Sequence, residues 1–346
     1  MRRALFILFI LSVATAGAYV WERAKFAAPG PAAARGEETI VLISSGEGVS
    51  AISRDLADAH VIDNAALFRW SVRLRGLGSK LKAGEYAIPS EASMEDIAGI
   101  LMSGKSIQHK LTAAEGLTSQ MIYDLVKADP VLVGDAGAVP DEGTLLPETY
   151  LFTRGTTRSD LLRQIHDAQQ ELIARLWAAR AKNLPVKSPQ EAVVLASIVE
   201  KETSLPAERR HIAAVFENRL RLGIKLQSDP TIIYGITKGY PLGRGIRESE
   251  LNRATPYNTY VIAGLPPTPI CNPGRDAIAA VLQPAQSGDL YFVADGTGGH
   301  VFAATIAEHQ KNVTRWRAIE RQEKHVAEPP AAPKKPAPKK RHTRRH

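Results

Sequence analysis

From Ala4 to Trp21 the chain carries no charged residue, and Leu, Ile, Phe and Val crowd the run. Such a stretch is long enough to cross a bilayer as a helix, which fixes where everything after it can fold. Arg2 and Arg3 precede it, and positive charge tends to stay in the cytoplasm, so the amino terminus is expected inside and the body outside. A cleaved signal peptide is the competing reading, because Ala14, Ala16 and Ala18 supply small-residue cleavage patterns. The retained anchor is preferred because Tyr19 and Trp21 suit a membrane interface. Either reading exports the body.

The single cysteine, Cys271, can form no internal disulfide and excludes a cage of Cys ligands; a small buried hydrophobe is its simplest role. Residues 27–38, rich in Ala, Pro and Gly, read as a tether. The net charge of +8 suggests a nucleic-acid binder until it is divided by segment. Seven Lys and Arg against Glu328 lie in residues 326–346, and Arg2 and Arg3 lie at the other end. The body between is formally neutral, so no nucleic-acid partner is expected. The Pro- and Lys-rich tail, 326–346, is expected to be disordered.

Periodicity predicts an α+β fold. Strand Thr39–Ile43 precedes a helix carrying Val49, Ile52 and Leu56, and a second helix with Leu67, Trp70 and Leu74. A returning strand over Lys82–Ile88 follows, then a helix capped by Ser93 and Asp96 that stops at Gly104. Beyond it a long amphipathic helix is predicted over Ser159–Lys182, and another starts at Ser188, Pro189 and Glu191. A further helix covers Glu208–Leu222, a hairpin spans Leu290–Thr305, and a last helix runs through Trp316. The expected division is a stub and anchor over 1–21, a linker over 22–38, a small module over 39–105, a larger mixed α/β domain over 106–325 and the tail.

No phosphate loop, dinucleotide fingerprint or zinc-protease helix is present, which leaves carboxylates and hydroxyls to carry chemistry. The helix EAVVLASIVEKET, Glu191–Thr203, is apolar almost all round, yet its last turn bears Glu200 and Glu202. At 100° per residue Glu202 projects into the arc of Leu195, Ile198 and Val199, while Glu200 points elsewhere. Burial there would raise a carboxyl pKa towards that of a general acid. The bland reading pairs both glutamates with Lys201, Arg209 or Arg210. Asp229, before Pro230, either caps a turn or orients a substrate. The segments TPYNTY (255–260) and GLPPTPICNPG (264–274) are stiff loops whose amides and phenols suit sugar rings, or simply a rigid surface. His300 reads as a turn residue.

The ordered set ASIVEKET, FENRL, LQSDPTIIYG, PYNTY, GLPP, NPG and YFVADGTGGHVF resembles the YceG-like family of endolytic murein transglycosylases, from about Thr39 to Trp316. The resemblance implies a LysM-like module at 39–105 and a catalytic transglycosylase domain at 106–325. It also implies an enzyme on the outer side of the inner membrane that cuts nascent peptidoglycan strands and ends their elongation, needing no cofactor and no metal. Peptidoglycan strands are the implied partner, and peptidoglycan synthases a further one. The family's acid/base glutamate matches Glu202, with Glu200 as the alternative. Gln227, Asp229, Tyr257, Asn258 and Tyr260 match positions lining the glycan groove. The implied reaction closes a 1,6-anhydro ring on N-acetylmuramic acid. A hydrolase using Asp229 as second carboxylate and a non-catalytic peptidoglycan-binding scaffold stand beside it as alternatives.

Overall fold

A computed structural model describes residues 2–327, a mixed α/β chain that divides into two compact units meeting in sequence at Gln170 and Glu171. Beyond Ala327 the tail expected to be disordered lies outside the described residues.

The first unit opens with helix α1 (Arg2–Phe26), of which Leu5–Phe26 is long and apolar enough to cross a membrane. Strand β1 (Glu38–Ile43), helices α2 (Val49–Asp58) and α3 (Ala65–Leu74), strand β2 (Gly84–Pro89) and helix α4 (Met94–Ser103) follow. β1 and β2 pair antiparallel from Glu38–Pro89 to Ile43–Gly84. Alternation turns Val41, Ile43, Tyr86 and Ile88 inward onto Ile52, Leu56, Phe68, Val72, Ile97 and Leu101. The predicted cap of α4 is present: Ser93 and Asp96 exchange both capping-box bonds, and Gly104 closes the helix at φ 69°.

Two expectations fail here. The periodicity puts Trp70 and Leu74 on the buried face of α3, but both are about half exposed, at 49% and 53%. Phe68, Ser71 and Val72 are buried instead, because α2 and the end of α1 both pack on this helix. Glu22, fully buried, pairs with Arg75 and accepts from the Ser71 hydroxyl, while Phe26 lies 6.3 Å from Phe68 and under the Arg75 guanidinium. Nor is 27–38 a free tether: the Gly30 N–H donates to the Glu91 carbonyl, the Glu91 N–H to the Pro31 carbonyl, and the Ala33 N–H to Ser90 Oγ.

A second core in the same unit gathers Leu111, Ile122, Val126, Leu145, Tyr150, Phe152, Leu161 and Ile165. It forms between the antiparallel pair β3 (His109–Thr112) and β4 (Thr149–Phe152), helix α5 (Ser119–Ala128) and the start of α6 (Arg158–Ala178).

The second unit is built on α7 (Pro189–Glu202), which packs against α8 (Pro206–Leu222), α9 (Asp229–Thr237) and α11 (Arg275–Leu282). Eight consecutive α7 residues, Ala192–Val199, are buried, which is why this helix shows no polar face. Ser188 caps it by accepting from the Glu191 N–H, while the Glu191 carboxylate takes the Lys187 N–H, one residue earlier than a capping box requires. The short α10 (Glu248–Leu251) precedes a loop region. The hairpin β5 (Tyr291–Ala294) and β6 (His300–Ala303) packs against α12 (Ile306–Ala327). Cys271 is buried, its thiol donating to the Ser197 carbonyl at 3.4 Å.

Candidate active site

The two glutamates of the E-K-E run have different surroundings. Glu200, almost wholly buried, accepts the Gly274 N–H at 2.8 Å and faces Arg209 at 3.5 Å, so it ties α7 to the start of α11 and to α8. Its role in holding the helices together is the one the bland reading gave it. Glu202 instead lines a cavity of about 460 Å³ with Arg219, Gln227, Asp229, Tyr260, Phe292 and His309. That size falls among small-molecule sites, roughly 300–1,000 Å³.

Glu202 Oε1 accepts the Ser228 hydroxyl at 2.5 Å. Ser228 is the N-cap residue of α9, yet its side chain makes no capping bond and serves the glutamate instead. A cap is normally worth about 1 kcal/mol, so this helix forgoes stabilisation to hold a carboxyl group. Burial raises the Glu202 pKa to about 7; the Ser228 bond opposes it, the Asp229 charge reinforces it, and His300 and Arg219 oppose it more weakly. A carboxyl of that pKa can both give and take a proton near neutrality.

Asp229 opens α9 rather than capping a turn: Pro230 suits the first turn of a helix, and Ser228 precedes it as cap. Its carboxylate accepts the Tyr260 hydroxyl at 2.7 Å, and burial followed by this bond raises the tyrosine's pKa. Gln227 stands at φ 53°, a left-handed conformation that costs a non-glycine residue energy and recurs at functional sites. Its N–H donates to the Thr259 carbonyl, and the next N–H, Ser228, donates to Thr259 Oγ1.

Of the residues singled out in the sequence, Glu202, Gln227, Asp229 and Tyr260 therefore meet in one cavity. Tyr257 and Asn258 are not among its walls. Tyr257 bonds Thr268 at 2.8 Å and packs against Tyr234, 4.9 Å between ring centroids. Asn258, 1% exposed, spends its amide N–H groups on the carbonyls of Glu250, Leu251 and Arg253, and its Oδ1 accepts the Tyr260 N–H. It shapes the loop that aims Tyr260. Asn258→Ala leaves three partly buried carbonyls short of a donor, so a loss of about 1–3 kcal/mol of stability is expected in chemical denaturation.

Several residues of the site were not legible beforehand. Arg219, 7% exposed, donates to the carbonyls of Leu290 and Leu226 at 2.6 and 2.7 Å, binding two walls of the cavity together. His300 is a strand residue, not a turn residue; its Nδ1 and its N–H both meet the Glu208 carboxylate. A Cβ at Gly299 would come within 2.8 Å of Glu208 Oε1, so glycine permits this approach. His309 stacks on Tyr291, and burial lowers its pKa, keeping a neutral imidazole in the cavity wall. Among the described residues no cluster of three His, Cys, Asp or Glu side chains is placed to hold a metal ion.

A polar cavity around one carboxyl that titrates near neutrality, with a tyrosine–aspartate pair beside it, defines a site for proton-transfer chemistry on a polar ligand. The chain belongs to the YceG-like family, whose profile matches residues 41–315. Among its relatives is the endolytic murein transglycosylase of Streptococcus pneumoniae serotype 2, 30% identical over 320 residues that cover 78% of this chain and 57% of the relative. The chain thus spans little more than half the length of that relative. The endolytic murein transglycosylase of Bacillus subtilis is 29% identical over 302 residues, covering 78% of this chain and 82% of that protein. A crystal structure of a yceG-like protein from Listeria monocytogenes matches with a TM-score of 0.50 at 30% identity, covering 80% of this chain and 98% of that one.

Proposed function

We propose that the chain is an endolytic peptidoglycan transglycosylase in which Glu202 is the acid and then the base. The observation that carries this reading is the Glu202 carboxyl itself, held in the cavity by Ser228 with a pKa of about 7. Glu202 protonates the glycosidic oxygen leaving C1 of N-acetylmuramic acid, and the C1–O bond breaks. The 6-hydroxyl of the same sugar attacks C1, its proton passes to the Glu202 carboxylate, and the 1,6-anhydro ring closes without consuming water. One carboxyl completes both transfers. Gln227, Asp229 and Tyr260 hold the glycan, while Tyr257 and Asn258 support the loop behind them. Residues 39–105 are a LysM-like module. α1 anchors the chain in the inner membrane with the body outside, where it ends the elongation of nascent strands beside the peptidoglycan synthases.

Digestion of uncrosslinked glycan strands tests the reaction. Products ending in anhydro sugars are expected. Reducing ends heavier by one water would replace this reading with hydrolysis, which one observation favours: Asp229 shares the cavity and could serve as a second carboxylate.

The first proton transfer needs Glu202 protonated, so the rate of strand cleavage is expected to fall as pH rises through about 7. Asp229 raises the Glu202 pKa by like-charge repulsion. Asp229→Asn is therefore expected to move this alkaline limb of the pH–rate profile to lower pH, whereas Ser228→Ala, which removes a bond that lowers the pKa, moves it higher.

A further inference from the structure

The packing of α1 on α3 sets the depth of the first module. Along α1 the chain meets Glu22 before Phe26, and along α3 it meets Phe68 before Ser71 and Arg75. Phe68 neighbours Phe26 and Ser71 holds Glu22, while the long Arg75 side chain reaches from Glu22 to the face of the Phe26 ring. α3 therefore runs back along α1, and its carboxyl end approaches the level of Tyr19 and Trp21, both exposed. Residues 30–33 are also bonded onto the module, so two separate segments keep α3 close to the carboxyl end of α1.

At 100° per residue, Ser71, Arg75 and Phe68 face α1 and the core, while Arg69, Trp70, Arg73 and Leu74 share the outward arc. All four are exposed, and Trp70 and Leu74 lie on the side of that arc next to Ser71, and so next to α1. Between Asp63 and Glu85 the sequence holds five basic residues, Arg69, Arg73, Arg75, Lys80 and Lys82, and no acid. Exposed Lys80 follows on the turn beyond α3, and exposed Arg23 and Lys25 continue the positive surface along α1. A segment with five bases and no acid in an otherwise neutral body, interleaved with an exposed indole and leucine, has the chemistry of an interfacial surface. Aromatic rings settle at the headgroup level, and cationic side chains meet lipid phosphates.

We propose that this face of the first module sits on the bilayer, with Arg69, Trp70, Arg73, Leu74 and Lys80 in the headgroup layer of an anionic membrane. The inference rests on α1 being a retained anchor. The occupant is the lipid surface, because the α3 face lies beside an apolar helix of spanning length and carries the charge that phosphates attract.

The test uses the full chain in nanodiscs, in a Cys271→Ala background with bimane attached at Leu74→Cys or, separately, at Trp70→Cys. The discs are made of phosphatidylcholine alone or with phosphatidylglycerol, each with a trace of headgroup-nitroxide lipid. Strong quenching in the anionic discs, weakened by salt, is expected at both positions. Arg69→Gln and Lys80→Gln should each reduce the docking constant by about fivefold, since one basic residue at an anionic surface is worth that much. A chain that stays in the disc through a high-salt wash but shows weak quenching, indifferent to lipid charge, overturns the proposal. So does a bimane response to added glycan strands in place of lipid quenching, which would make this a glycan-binding face. A chain washed out of the disc overturns the anchor reading itself, a separate result.

Discussion

Glu202→Gln is expected to lower the rate of glycan-strand cleavage by about 10²–10⁴-fold, the usual worth of a positioned general acid–base group. The substitution is nearly isosteric, and its amide oxygen can still accept the Ser228 hydroxyl, so the cavity should keep its shape. What disappears is the proton that the glycosidic oxygen must receive and the carboxylate that must later accept one. Glu200→Gln should leave most of the turnover in place, because that side chain is committed to the Gly274 N–H and to Arg209 and is not in the cavity wall. Steady-state cleavage of uncrosslinked strands by the two variants separates the roles. If Glu200→Gln alone abolished cleavage, the acid would have to be reassigned.

The parts of this site that could be read from the sequence are those decided locally. α7 could be placed because its cap, its proline and its apolar run lie within fifteen residues of one another, and because helix geometry alone separates Glu202 from Glu200. Ser-Asp-Pro at 228–230 is itself a helix-start signal, which neither reading of Asp229, as turn cap or as substrate-orienting residue, contains. What stayed hidden depends on partners distant in sequence. Nothing near Glu208 announces His300, 92 residues away, and nothing near Tyr260 announces Asp229, 31 residues back. The outward turn of Trp70 follows from α2 and the end of α1 claiming the other faces of α3, a choice periodicity cannot contain. Asn258 shows the reverse hazard: a polar residue beside a groove motif is consumed by backbone carbonyls.

The same raised pKa that suits Glu202 to acid catalysis makes it a burden on the fold. Its folded-state pKa, about 7, lies above the ordinary 4.5, so the native state binds the proton more tightly than the unfolded chain. Stability from this group is complete below pH 4.5, is lost as pH rises through about 7, and stays lost above it. A shift of that size corresponds to about 3 kcal/mol. Glu202→Gln is therefore expected to be more stable than the native chain by about that amount at pH 8 and little different at pH 4, measured by chemical denaturation of the solubilised full chain. Glu217 supplies the control. It is fully buried, burial raises its pKa to about 7 as well, and its salt bridge is to the half-exposed Arg221 away from the cavity. Glu217→Gln should show the same pH-dependent gain, again about 3 kcal/mol, with cleavage retained. Glu200→Gln should lose about 1–3 kcal/mol, because it takes a charged partner from the buried Arg209. A destabilising carboxyl whose removal abolishes activity, beside another whose removal does not, separates a charge kept for chemistry from one merely tolerated. If Glu202→Gln proved no more stable than the native chain at pH 8, the carboxyl would not be titrating near 7 and could not act as the acid proposed.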